Sequence, residues 1–161
     1  MGVDPIRGGT VKLTSDEFFK INKDKFDIIL LDGLHEKEQL YRDVINSINI
    51  LTFDGVIIVH DLDPYCKKAQ LYPRPMFQRR WSGNCWRAWL QLRARSDLDM
   101  TVVDTDEGVD TDEGVGIIYV VYNTENAKKF NCDMTYEEFE NNKKELLNLI
   151  SVNEFFEREL S

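Results

Sequence analysis

The chain has 161 residues, 42% hydrophobic and 30% charged, with a formal net charge of −9 at pH 7. That is the size and balance of one globular domain, expected to fill residues 1–161 as a single unit. No apolar run approaches the roughly 20 residues that cross a bilayer, no secretory core follows Met1, and the negative charge disfavours nucleic acid, whose phosphates call for clustered Lys and Arg. Neither a membrane nor a nucleic acid is expected as partner, and the cytoplasm is the expected location.

Residues 2–4 read as the end of a strand, broken by Pro5 and by Gly8-Gly9, with a short strand over 10–13. Thr14 stands three residues before Glu17, a capping-box spacing that opens a helix over 15–22. Residues 26–31 are a strongly apolar strand ending at Asp32-Gly33, and Leu40, Val44, Ile45, Ile48 and Leu51 recur at helical steps over 36–50. Phe53-Asp54-Gly55 signals a turn before a second apolar strand, 56–60, which ends at Asp61. Two continuous apolar strands around an amphipathic helix predict a βαβ unit whose parallel sheet is buried on both faces. Residues 62–82, with three prolines, read as a long loop of the kind that tends to be functional. A helix over 83–96 carries Trp86, Trp89, Leu90 and Leu92; strands 99–104 and 116–122 form a hairpin; helices over 135–150 and, after Ser151, 153–160 close the chain. The fold class is α/β and Rossmann-like, a mostly parallel sheet with an antiparallel terminal hairpin.

Three local features interrupt this pattern. Asp-Thr-Asp-Glu-Gly-Val occurs at 104–109 and again at 110–115; a six-residue tandem copy is far shorter than structural repeats and reads as a duplication absorbed at a hairpin tip. Between Asp63 and Asp97 there is no acidic residue, while Lys67, Lys68, Arg74, Arg79, Arg80, Arg87, Arg93 and Arg95 all fall there. This basic stretch reads either as a solvated helix face with its loop or as a lid that recruits an anionic substrate. Cys66, Cys85 and Cys132 are widely spaced with no CxxC pair, and are expected as reduced thiols that bind nothing.

In open parallel sheets ligands bind at the carboxyl ends of strands. Asp4, Asp32 and Asp61 end three successive core strands and are expected to face one crevice. Carboxylates there accept the hydroxyls of a ribose or, as a pair, hold a divalent cation; Asp32 and Asp61 are the candidate metal ligands, with Mg²⁺ the candidate ion. The only histidines, His35 and His60, flank these carboxylates, and histidine is the usual general base near neutral pH. His60, His35 and Asp61 are the expected catalytic group.

The string from Phe26-Asp27-Ile28-Ile29-Leu30-Leu31 through Asp32-Gly33-Leu34-His35 resembles the fourth-strand motif of class I S-adenosylmethionine-dependent methyltransferases. Gln39, Arg42 and Asp43 follow it, then Asp54-Gly55-Val56-Ile57-Ile58-Val59-His60-Asp61. Ser15-Asp16-Glu17-Phe18-Phe19, Trp81-Ser82-Gly83-Asn84-Cys85-Trp86 and the Tyr136 to Phe156 region are similar to a bacterial and environmental subgroup, some of whose members sit among sugar-modifying enzymes. The resemblance implies S-adenosylmethionine as cofactor and O- or N-methyl transfer to a small acceptor, sugar-linked or anionic. It implies that Asp4 meets the ribose, that Ser15 and Asp16 lie by the adenine, and that Asp32, Gly33 and His35 border the methionine end. Metal-dependent relatives carry carboxylates at the places of Asp32 and Asp61, but Leu62 stands where they have a further polar ligand. The family opens with a strand and a Gly-rich loop for which only Met1, Gly2 and Val3 remain, so the expected domain is truncated at its N-terminus. Loss of a central strand leaves an edge to be filled, which points to a homo-oligomer. A non-catalytic Rossmann-like module stays open as the alternative. So, more remotely, does a phosphatase or glycosyltransferase built on Asp61-Leu62-Asp63.

Overall fold

A computed structural model describes residues 1–105 and 113–160. Helix α1 (Ser15–Ile21) begins at the expected box: the Thr14 hydroxyl accepts from Glu17 N, and Thr14 N donates to the Glu17 carboxylate at 2.9 Å. The same reciprocal cap opens the last two helices, α4 (Tyr136–Leu147) through Thr135 and Glu138, and α5 (Val152–Glu159) through Ser151 and Glu154. Each such cap contributes about 1 kcal/mol by satisfying amides that have no partner inside the helix.

Between α1 and α4 lie β1 (Phe26–Leu31), α2 (Lys37–Ile50), β2 (Leu51–Val59), α3 (Cys85–Leu92), β3 (Leu98–Asp104) and β4 (Val115–Val120), and a short β5 (Leu149–Ser151) separates α4 from α5. The strands form one sheet in the order β1-β2-β4-β3-β5. β1 is parallel to β2 and β5 to β3, whereas β4 is antiparallel to both its neighbours. Four strands therefore run one way and β4 alone runs against them, the mostly parallel Rossmann-like sheet that the sequence predicts. The β3–β4 hairpin enters with its second strand first, so β4 lies against β2 and β3 lies outside it.

Several boundaries differ from the sequence reading. In the expected strand 10–13 only Val11 pairs, as an isolated parallel bridge with Val3. The turn expected at Phe53-Asp54-Gly55 lies within β2 as an irregularity: Phe26 pairs with Leu51 but Ile28 with Val56, and Phe53 on the extra length is 97% exposed. Strand β5 falls where a helix end was expected. Asn148 leaves α4 in the left-handed region at φ 53°, and its side-chain amide donates to Met100 O at 2.9 Å. Three residues between two helices carry no periodicity to read. Helix α3 ends at Leu92, short of the expected 96. The hairpin tip that holds most of the hexapeptide duplication lies outside the described residues.

The core sits between the sheet and helices α2, α3 and α4. Trp86, Trp89, Leu90, Leu92, Ile57, Ile118 and Phe139 are fully buried, with the Trp86 and Phe139 rings 4.3 Å apart. Burial on both faces, expected of both apolar strands, fails for β1. It is the sheet's edge strand, and Ile28 and Leu30 are 64% and 63% exposed. No helix among the described residues is long and apolar enough to cross a membrane.

Gly116 on β4 marks where sheet and helix layers approach most closely: a Cβ there would lie 2.3 Å from Leu62 Cδ1 and 2.6 Å from the Trp89 ring. Gly33 has open space at the same position. Gly116→Ala is expected to destabilise the fold by about 1–3 kcal/mol through overpacking, and Gly33→Ala by far less. Urea unfolding of the two variants beside the parent measures the difference.

Candidate functional site

Strands β1 and β2 are parallel and in register to their ends, Leu31 opposite Val59, and His60 N donates to Leu31 O at 3.1 Å. Asp32 and the pair His60-Asp61 therefore leave the sheet side by side at its carboxyl end, where α/β sheets place ligands. Asp61 turns sharply, with φ 62°. Aspartate tolerates that left-handed conformation better than bulky residues. Asp61 is buried while the Asp32 side chain is half exposed.

His35 reaches the same place from the β1–α2 connection. Its Nε2 lies 3.1 Å from Asp61 Oδ2 and 3.6 Å from Asp32 Oδ1. His60 Nδ1 lies 3.2 Å from Asp61 Oδ2 and 3.9 Å from Asp32 Oδ1. Asp61 Oδ2 is thus shared between two imidazoles. The other His35 nitrogen, Nδ1, lies 2.7 Å from Trp81 O. A carbonyl only accepts, so Nδ1 carries a proton and Nε2 is left to face the carboxylates. The Trp81 ring stacks on His35 at 4.9 Å. Gly83 underlies the contact: with φ +60°, a Cβ there would fall 1.8 Å from His35 O.

The expected residues divide into two sets. Asp32, His35, His60 and Asp61 are brought together, and Gly33 lies beside them in open space. Asp4, Ser15 and Asp16 direct their hydrogen bonds elsewhere. Asp4 Oδ1 accepts from Ile6 N and Arg7 N, bonds that hold its carboxyl below the usual carboxylate range. Ser15 Oγ and Asp16 Oδ1 accept from the Gln39 side-chain amide at 3.1 and 3.2 Å, and the same amide donates to the buried Asp43 at 2.9 Å. This network fastens α1 to α2, and burial pushes the Asp43 carboxyl up. Within Asp61-Leu62-Asp63 the two acids part: Asp63 pairs with Lys143 at 3.0 Å, away from the histidines. That is not the shared site a phosphatase or glycosyltransferase aspartate pair requires.

Most of the basic stretch has work within the chain. Arg74 donates to Gln78 O and Arg79 O, Arg87 to Cys132 O and Met134 O, and Arg93 to Glu145 O and Leu146 O. Arg95 pairs with Asp97. Cys66, Cys85 and Cys132 are free thiols, and burial raises that of Cys85 far above its ordinary value. Glu113, absent from the sequence reading, lies 4% exposed with its carboxylate 3.8 Å from Arg80 Nε. It belongs to the second copy of the hexapeptide, and an acid among repeated acids carries no signal that one of them is buried.

Residues 5–62 match a family model described as a methyltransferase domain. The segment from the Asp4 loop to the end of β2, which carries the crevice, is therefore methyltransferase-like. No curated protein matches the chain. Solved structures that resemble it include the O-methyltransferase TomG from Streptomyces achromogenes, involved in tomaymycin synthesis and solved with SAM, and an O-methyltransferase from Bacillus cereus, solved with SAH. The first is 16% identical with a TM-score of 0.47, covering 67% of this chain and 47% of that one. The second is 14% identical with a TM-score of 0.45, covering 66% and 45%. The chain thus spans about half the length of these structures, and likeness this slight carries no residue roles.

Gly83→Ala is expected to cost about 2–4 kcal/mol, from a left-handed residue given a Cβ and from the collision with His35. The His35 imidazole signals in a ¹H–¹⁵N spectrum are expected to move while those of His60 shift less, which localises the damage.

Proposed function

We propose that the protein takes part in S-adenosylmethionine-dependent methyl transfer to the oxygen or nitrogen of a small acceptor. The observation that carries this reading is the convergence of Asp32, His35, His60 and Asp61 at the carboxyl ends of adjacent parallel strands, inside the segment that matches a methyltransferase domain. S-adenosylmethionine supplies an electrophilic methyl on a sulfonium. The residues present fit its methyl end: Asp32 offers a half-exposed carboxylate to a cation, and Gly33 leaves room beside it. Asp4, with both backbone bonds on Oδ1, keeps Oδ2 for a ribose hydroxyl. Ser15 and Asp16 border the adenine side, held in place by Gln39.

The residues of the crevice bind, orient and move a proton. His60, with Nδ1 turned to Asp61, takes the acceptor's proton on its other nitrogen, and Asp61 stabilises the imidazolium that results. His35, whose Nδ1–H is held by Trp81 O, acts by orienting Asp61. Alignment of acceptor and methyl supplies most of the acceleration. The acceptor is a small molecule, anionic or sugar-linked, and the exposed Arg79 on the 62–84 segment is a candidate to meet its charge.

A second reading has its own observation. Ligand atoms of Asp32, His35 and Asp61 all lie within 4.8 Å of one another, spacings near those of donors around one cation. A set that includes imidazole suits Zn²⁺ or Mn²⁺ better than Mg²⁺, which prefers all-oxygen octahedral shells. The cation would polarise the acceptor oxygen. The open edge of β1 supports self-association as part of the same reading.

Titration calorimetry with S-adenosylmethionine, whose sulfonium carries the charge that Asp32 would meet, is the test, run with chelator and with Mn²⁺. Micromolar binding that weakens about tenfold in Asp32→Asn is expected, and tightening by Mn²⁺ that is lost in His35→Ala marks the cation. No heat up to millimolar ligand in either condition overturns the methyl-transfer reading in favour of a non-catalytic module. In sedimentation, Ile28→Lys with Leu30→Lys is expected to dissociate whatever oligomer the parent forms at micromolar concentration. A parent that sediments as a monomer removes the self-association.

A further inference from the structure

The connection between β2 and α3, residues 62–84, lies against the crevice as a strap fixed at both ends. At its start Leu62 N donates to Gly114 O at 3.4 Å and Asp63 N to Glu113 O at 2.7 Å, which ties the strap to the β3–β4 hairpin. At its end Gly83 N donates to Ala69 O at 3.0 Å, Asn84 N to His35 O at 3.3 Å, and Lys37 N to the Asn84 side chain at 2.5 Å. Between these ties Trp81 stacks on His35 at 4.9 Å on the crevice side and on the exposed Tyr72 at 6.2 Å.

The residue beside Trp81 is Arg80. Its guanidinium lies over the Tyr65 ring at 4.5 Å, and its Nε stands 3.8 Å from Glu113 Oε1. Glu113 comes from outside the strap, at the entry to β4. It is 4% exposed, and its Oε2 has no hydrogen-bond partner among the described residues. Burial is the main reason its carboxyl is pushed up; a hydrogen bond from the Ser82 side chain opposes it most, the Asp61 charge adds to it, and Arg80 and His35 oppose it further. A raised folded value means that the folded state holds the proton more tightly than the unfolded chain does. Ionised Glu113 therefore subtracts stability as pH rises through its unfolded value toward its folded one. A glutamine would fill the same space without that cost. A buried acid that weakens the fold is placed to hold its cationic partner.

We propose that Glu113 is a positioning residue: its carboxylate fastens Arg80, and with it the strap 62–84, in the closed arrangement where Trp81 stacks on His35 and receives its Nδ1 proton. The strap thereby fixes which His35 nitrogen faces Asp32 and Asp61. Without the latch, Arg80 and Trp81 move off together because they are neighbours in the chain. His35 then loses both its stack and the carbonyl that sets its tautomer.

The test needs no cofactor, so its outcome stands apart from the methyl-transfer reading. Glu113→Gln in the intact chain is compared with the parent by urea unfolding, by limited trypsin digestion and by tryptophan emission, with Trp81→Phe identifying the Trp81 share of the signal. The expected result is an unfolding midpoint equal to or above the parent's, cleavage after Arg79 and Arg80 faster by about tenfold, and a changed Trp81 emission. Glu113→Asp, which keeps the charge, is expected to restore part of the protection. Parental cleavage and emission in Glu113→Gln overturn the proposal. So does a lowered midpoint that accounts for the faster cleavage by global unfolding.

Discussion

The crevice depends on one register. Leu31 pairs with Val59 across parallel strands, and Asp32, His60 and Asp61 follow within the next one or two residues, with His35 arriving from the connection beyond β1. A slip by one residue would turn every side chain of a strand to the opposite face and take Asp32 and Asp61 apart. The register is in turn held by burial on β2, where Ile57 and Val59 are enclosed by the Trp86–Trp89 helix and by β4. The apolar core and the polar cluster are thus two ends of the same strands, and the core's stabilisation is what allows two imidazoles and two carboxylates to be crowded at separations of 3.1 to 3.9 Å.

Much of this was legible in the residues. Continuous apolar runs at 26–31 and 56–60 with a helical period between them define the parallel pair, and their terminal acids and histidines define the crevice. Thr14 with Glu17 gives the start of α1 to the residue. What escaped lacked a periodic signal. The three residues of β5 are too few to show one. The irregularity in β2 reads as a turn because Asp54-Gly55 has turn chemistry wherever it falls. The basic stretch was read by charge alone, whereas Arg87 and Arg93 are occupied by carbonyl groups far from them in sequence, and Arg74 by carbonyls of its own loop. Long-range partners of a guanidinium leave no trace in local pattern, and the same holds for Glu113.

The exposed face of β1 belongs to the same economy. An edge strand this rich in hydrophobic residues is normally blunted by charge, proline or a covering element, and β1 carries one charge, Asp27. Here Ile28 and Leu30 remain open while their neighbours Ile29 and Leu31 pack inward. The sequence reads as a central strand, and the fold leaves it at the margin. Composition and environment disagree at this one element more than at any other.

The tandem hexapeptide has a consequence for how this molecule tolerates change in length. Val103 and Val115 are paired across the hairpin, and the identical copies lie between and at their edges. Removal of either copy leaves the same string, Val-Val-Asp-Thr-Asp-Glu-Gly-Val-Gly, running from β3 into β4. The strand ends, the acid that faces Arg80 and the glycines that admit Leu62 and Trp89 would all keep their neighbours in sequence. Only the loop between them would shorten, at a chain-entropy difference of roughly 0.6 kcal/mol per doubling. The duplication is therefore a difference in the length of chain between β3 and β4 rather than in the strands themselves: losing either copy would leave both strands with the residues they now have.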